Sequence, residues 1–307
     1  MHGAIRKPDL LLCKEGVIMK RDAANEKFDM RTDVYALGEV KKSYNEDSKK
    51  ESYIELASKA AFLLEAQDGR YATPGIRLLG SDIILTLFDR GGSISTHPLD
   101  IHQFPEEFLR ILLGITFADG TILGFDSTVS PVDHNQKKIQ IIKQGTTYAV
   151  FVDILLFFSG SLHSRGTTVW SGKVVIDKGE EEVVVKDSWV DPLRQYTEGK
   201  ILKLLENANV KGVPRLVHEQ QVRTQHPVTR AFLNHSTHIL RSLIDGCPVS
   251  SYTLCVLSRL VSKPRGYPIF DFNSLAELLV GIIDCLRGAY GLHFIIQLHL
   301  LTFHSSS

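Results

Sequence analysis

Net charge is the first thing this sequence does without: 35 Lys and Arg balance 35 Asp and Glu, for a formal charge of zero. With no basic surplus there is no global attraction to nucleic acid or an anionic membrane, and neither is expected as a partner. Cysteine is scarce as well. Cys13, Cys247, Cys255 and Cys285 are scattered with no CxxC pair, which argues against a disulfide framework or a cysteine-held zinc and fits a reducing compartment, cytoplasm or nucleus. Long apolar runs are missing too. The stretch 291–303 is apolar but shorter than the roughly 20 residues a bilayer crossing needs, and Asp284 and Arg287 stand close before it. The opening residues lack the positive, apolar and small-residue order of a secretory signal. No repeat is evident. These absences together predict a soluble, intracellular chain.

What remains is enough for a substantial core: 307 residues, 43% of them hydrophobic, or one large domain or two ordinary ones. Residues 33–41 alternate as a strand does, and the charged run 41–51 reads as a solvated loop. A helix over 53–67 would put Ile54, Ala57, Ala61 and Leu64 on one face. Strands follow at 75–80, 83–89 and 92–97, then a helix opened by Pro105 and Glu106 and carrying Phe108, Leu109, Leu112 and Leu113. Further strands are expected at 121–125, 138–143 and 147–156. The first 155 residues thus read as an α+β module. After Phe157, strand patterns recur at 162–169, 172–176 and 182–186, with a helix over 192–205. Strands at 213–217 and 255–262 and a helix over 274–290 complete the order. The fold class is α+β: an N-terminal α+β module (1–155), a second unit (156–290) and a tail (291–307).

One constellation in the second unit suggests phosphate chemistry. Ser164-Arg165-Gly166-Thr167, followed by Val169, has the character of a hairpin turn that could close its backbone over phosphates. Val169 would then lie over an adenine. Lys186 ends the apolar strand Val183-Val184-Val185, and Glu198 follows twelve residues later on the predicted helix. A strand lysine contacting ATP phosphates, oriented by a helix glutamate, is the arrangement a protein kinase needs. Singly, such signals are common: a lysine after three valines is usually a strand end turning to solvent. Their order and spacing carry the reading.

Longer strings carry a resemblance. Val185-Lys186-Asp187-Ser188-Trp189, Thr197-Glu198, Gly212-Val213-Pro214 and Gly266-Tyr267-Pro268-Ile269 resemble the fungal-type protein kinase family. So do Phe272-Asn273-Ser274-Leu275 and, upstream, Glu39-Val40-Lys41, Phe88-Asp89-Arg90, Phe108-Leu109-Arg110 and Leu123-Gly124-Phe125-Asp126. The resemblance runs from about residue 30 to 290. It implies a kinase N-lobe followed by the first C-lobe helix, ATP as cofactor, and transfer of phosphate to protein Ser or Thr. It assigns the phosphate turn to Ser164, Arg165, Gly166, Thr167 and Val169, and the ion pair to Lys186 and Glu198. Two departures stand out. Ser164 occupies a position where the family usually has glycine, which narrows the turn. No His-Arg-Asp or Asp-Phe-Gly follows the last helix, so the expectation is a shortened, catalytically incompetent member. It would keep residual ATP affinity, hold no magnesium, and offer an exposed apolar surface to protein partners.

Other patterns are weighed against this. Asp33, Glu39 and Lys41, with Gln67 and Tyr71 beyond the next helix, echo the acid-and-lysine set of PD-(D/E)xK nucleases, in which acids hold magnesium and the lysine positions a water. A strand with an alternating charged edge explains them as well. Phe270-Asp271-Phe272-Asn273 looks like a magnesium motif but precedes the helix that such a motif should follow, and Asp271 or Asn273 is expected near an N-cap. His218, His226, His235 and His238, and His293, His299 and His304, lack zinc spacing and read as surface residues. Asp89-Arg90-Gly91-Gly92 reads as a turn with a charged shoulder.

Overall fold

The computed structural model describes residues 9–13, 34–133, 136–162, 164–176, 179–244, 247, 251–267 and 271–304; the side chains of Ile176 and of 292–304 are not described. The first sheet contains β1 (Leu10–Cys13), β2 (Val34–Lys41), β3 (Ala72–Leu79), β4 (Asp82–Asp89) and β5 (Gly92–Ser95) in that order, with β6 (Leu99–Asp100) paired to β4. β2 and β3 run parallel, so the chain must cross over between them, and helix α1 (Glu46–Ala66) makes that crossing. Helix α2 (Pro105–Thr116) opens with proline in its first turn, as expected.

Helix α1 starts earlier than the sequence suggested. Asn45 accepts a hydrogen bond from the Ser48 amide at 2.8 Å, and Glu46 and Asp47 sit where the helix dipole favours negative charge. The charged run read as a loop therefore includes the first turns of a helix. Its buried stripe is also rotated: Leu56, Ala60, Leu63 and Leu64 are enclosed while Ile54 is exposed. Leu56, Ala60 and Leu63 pack with Val34, Leu37 and Phe88 of the sheet.

The second sheet comprises β7 (Val129–Pro131), β8 (Lys137–Lys143), β9 (Thr146–Phe158), β10 (Thr168–Ile176), β11 (Gly179–Val190), β12 (Arg215–Gln221) and a later strand. Helix α3 (Glu198–Asn207) follows β11. Between β12 and the last strand lies an insert with the hairpin β13 (Arg223–Gln225) and β14 (Phe232–Asn234) and the short helix α4 (His238–Arg241). The last strand is β15 (Val256–Lys263), and helix α5 (Leu275–His304) follows it. The order is β12-β15-β11-β10-β9-β8-β7 with antiparallel pairing throughout. The sheet curls until its two sides meet, where the Ile142 amide donates to Gln220 Oε1 at 2.7 Å. Ile139, Ile141, Val150, Val152, Trp170, Val174, Val183, Val185 and Val261 fill the inside of the curl.

Several expected boundaries move. The division at 155/156 falls inside β9, because β7, β8 and β9 pair into the second sheet rather than the first. Residues 121–125 form turns, not a strand, with a single bridge between Arg70 and Phe125. Gly124 is the reason: it takes φ +89°, and a Cβ there would lie 2.0 Å from the Ala72 carbonyl oxygen. Of the described residues in 162–169, only Thr168 and Val169 are strand. Helix α3 begins at Glu198 because Thr197 caps it by accepting from the Lys200 amide, and Leu193, expected on that helix, is 88% exposed. Helix α5 continues past Tyr290 to His304. Its start is capped by Ser274, which accepts from the Glu277 amide at 3.2 Å, while Glu277 reaches back to the Asn273 amide at 2.8 Å.

Buried polar groups join the two sheets. Arg259 of β15, 0% exposed, grips Asp187 of β11 through Nε and Nη2 at 2.8 and 2.7 Å, and reaches Asp126 at 3.1 Å. Its remaining donors meet Thr128 Oγ1 and the Gln140 carbonyl, each at 2.9 Å. Burial pushes Asp126 upward, but Arg259, His235 and the Thr128 hydroxyl and amide hold it below the usual carboxylate range. At Asp187 burial prevails and the carboxyl is raised. Asp89 of β4 is held by Arg241 of α4 at 2.9 and 2.7 Å. Asp68 accepts from Trp170 Nε1 at 2.7 Å and is ion-paired with Lys137. His235, expected on the surface, is 0% exposed. It lies edge-on to Tyr71 at 4.1 Å and to Trp189 at 5.4 Å, and burial lowers its pKa to about 4.

Two outcomes follow for stability. Arg259→Leu leaves two buried carboxylates unpaired and should cost about 3–5 kcal/mol in urea unfolding, whereas Lys173→Ala, which breaks an exposed pair with Glu180, should cost under about 1 kcal/mol. His235 stays neutral in the fold down to about pH 4 but protonates near 6.5 when unfolded. The unfolded chain therefore binds more protons in that window, so this contribution is full above about pH 6.5 and declines toward pH 4, by up to about 1.4 kcal/mol per pH unit. Unfolding of His235→Phe across the same pH range should lack that component.

Candidate functional site

Strand alternation decides which way Lys186 faces. Val183, Val185, Asp187 and Trp189 of β11 are buried toward the inside of the curl, so Lys186 projects from the opposite face. Val169 of β10 pairs with Lys186 in register and shares that face. On the other side Lys186 is paired with Leu260 of β15, and Leu260 packs under Leu202 and Leu205 of α3. The helix therefore lies over the lysine's face, and its first residue is Glu198. Lys186 Nζ donates to Glu198 Oε1 at 2.9 Å and Oε2 at 2.7 Å. The side chains remain 29% and 44% exposed, so the lysine is oriented without being sealed away.

Glu198 is itself held in place by a residue the sequence reading passed over. Glu219 of β12 accepts from the Thr197 hydroxyl at 2.7 Å and from the Gly199 amide at 2.9 Å. It thereby anchors the open N-terminal turn of α3, where backbone donors lack partners within the helix. A side chain at 199 would displace Glu219, since a Cβ would lie 2.5 Å from Glu219 Oε2. The Thr-Glu-Gly string was the available signal, but it did not identify the acid on a strand twenty residues on.

Residues 159–162 and 164–167 join β9 to β10 near the end of β11. The Ser159 amide donates to the Thr167 carbonyl at 2.9 Å, and the Trp189 amide to the Arg165 carbonyl at 2.7 Å. Ser164, where a glycine was expected, accepts from the Gly166 amide at 3.1 Å and donates to the Ser161 carbonyl at 2.9 Å. Its hydroxyl thus ties the turn internally. Gly166 takes φ +50° and is buried, whereas Arg165 is exposed. Ser164, Arg165, Gly166, Thr167, Val169, Lys186 and Glu198 are therefore brought to one end of the β9–β10–β11 unit. The arrangement offers a half-exposed ammonium beside an apolar side chain and a folded turn, which can receive an anion attached to a flat apolar group. A cavity of about 30 Å³ on the inner face, bordered by Asp68, Arg90, Asp126, Gly166, Thr168 and Asp187, opens from the opposite side of β11 and is the size of a single water.

The acid-and-lysine set of the first sheet is otherwise engaged. Asp33 lies outside the described residues. Glu39 is buried in an ion pair with Lys59, and burial raises its carboxyl against the pull of that lysine. Lys41 is bound by Glu55 at 3.1 Å and Glu51 at 3.4 Å. Gln67 donates to the Val34 carbonyl at 2.9 Å and Tyr71 to the Thr121 carbonyl at 2.5 Å. Among the described residues no group of three or more His, Cys, Asp or Glu side chains is arranged to hold a metal, and no helix is long and apolar enough to cross a membrane.

In comparisons with known proteins, the family model described as "Fungal protein kinase" matches residues 7–299. That match extends nine residues past Tyr290, into the segment read from the sequence as an unrelated tail. No curated protein and no solved structure matches the chain.

Proposed function

The chain belongs to the fungal protein kinase family, and we propose that it binds ATP on the outer face of β11. The observation that supports this reading above all others is the Lys186–Glu198 pair at 2.7 Å, formed between a strand and a helix twelve residues apart. Lys186 would hold phosphate oxygens and Glu198 would keep its ammonium aimed at them, a geometry that works by position and charge rather than by covalent chemistry. Residues 164–167 would cover the phosphates, and Val169 would lie against the adenine.

When bound in a kinase, ATP supplies the phosphoryl group that passes to a protein Ser or Thr hydroxyl. That transfer also calls on an aspartate to accept the hydroxyl proton and on magnesium ligands to neutralise the γ-phosphate. The sequence has no His-Arg-Asp and no Asp-Phe-Gly. The proposal is therefore confined to nucleotide binding. Leu275, Leu279, Val280, Leu286 and Tyr290 of α5 are all exposed, and protein partners are proposed on this apolar side.

The test is calorimetric titration of ATP into the full chain, with Lys186→Met as control. Wild type should bind, and the variant should lose at least tenfold in affinity while its melting temperature without nucleotide stays within a few degrees, since the pair is half-exposed. Absence of wild-type binding at millimolar ATP would sink the reading.

A further inference from the structure

We propose that Arg90, a residue of the first sheet, is the positioning residue for the phosphate turn of the second. The inference rests on the ATP reading above and extends it to a group outside the kinase-like sheet. Arg90 lies in the turn between β4 and β5 and is only 7% exposed. Its Nη1 donates to the Ser161 carbonyl at 2.8 Å. Its Nε presses on Gly166, where a Cβ would come within 2.5 Å of Nε and 2.8 Å of Cζ. Nε is a buried donor with no hydrogen-bond partner among the described residues, and this side of the guanidinium lies against the turn's backbone.

A buried guanidinium ordinarily pairs with a carboxylate. The adjacent Asp89 is taken: Arg241 binds both its oxygens, and the Gly91 amide donates to it at 2.8 Å. The Gly91 carbonyl in turn accepts from the Thr253 amide at 3.3 Å. The insert between β12 and β15 thus locks the β4–β5 turn from one side, and Arg90 extends from that lock to the phosphate turn on the other. With Trp189 holding the Arg165 carbonyl and Ser164 tying the interior, the turn is fixed at three points before any ligand arrives. A turn already ordered loses less conformational freedom on binding phosphates. The first sheet therefore contributes to phosphate affinity without touching the nucleotide.

The discriminating measurement compares ATP with adenosine, which has the same base and ribose but no phosphates. Affinities for both are measured by calorimetry on the full-length wild type, Arg90→Ala and Gly166→Ala. Gly166→Ala pushes the turn off the guanidinium while leaving every charge in place, and it keeps the question open to test if Arg90→Ala fails to fold. ATP affinity should fall at least fivefold in either variant, with adenosine affinity unchanged. Hydrogen exchange at residues 159–167 without nucleotide should rise in both. Equal loss for ATP and adenosine would reduce Arg90 to general structural support and overturn the proposal, as would an unchanged or improved preference for ATP. Wild-type protein that binds neither compound would remove the ATP reading itself, an outcome distinct from intact wild-type binding with indifferent variants.

Discussion

Arg259 is withdrawn from water with its charge and all its donors matched, which requires three other parts of the chain to converge on β15. Asp187 comes from β11, Asp126 and Thr128 from the segment before β7, and the Gln140 carbonyl from β8. The requirement is strict because a buried charge lacking even one partner is costly. It fixes β11 against both β15 and the residues that lead out of the first sheet. Lys186 is the neighbour of Asp187 and points to the other face. The strand that the buried network immobilises is thus the strand that presents the candidate nucleotide lysine.

The same economy recurs around the site. β11 uses alternate residues for two tasks, core contacts inward and Lys186 outward. Helix α3 is seated by Leu202 and Leu205 on Leu260, and oriented at its open end by Glu219. The turn before β10 sits at the end of the β10–β11 pair, and there the first sheet touches it through Arg90. The two sheets meet through buried ion pairs and the edge-on contacts of His235 with Tyr71 and Trp189, which makes the first sheet part of the scaffold of the candidate site.

The Lys186–Glu198 pair was legible in the sequence. A strand lysine and a helix glutamate twelve residues apart can be recognised because both elements are local, and the helix that follows such a strand can fold back on only one of its faces. The register that sets Val169 opposite Lys186 came only from the structure. The polar network was not legible. Asp89 and Arg90 looked like the shoulder of an exposed turn, yet Asp89 is buried by a partner 152 residues away. His235 looked like one of several surface histidines, and only the rings of Tyr71 and Trp189 enclose it. The start of α1 was hidden for another reason: its first turns are charged and carry no apolar period, so the Asn45 cap was the only cue. The division near residue 155 failed because β9 alternates equally well whichever sheet it joins.

From the sequence alone came the α+β class, the kinase resemblance, and the residues of the ion pair and turn, because these depend on short-range periodicity and on strings of neighbouring residues. Tertiary structure alone decided where the sheets divide, which charges are buried, and that a first-sheet arginine rests on the turn before β10. The reason is physical. The environment of a polar side chain is set by partners that here lie 72, 133 or 152 residues away, and local pattern carries no record of which will meet.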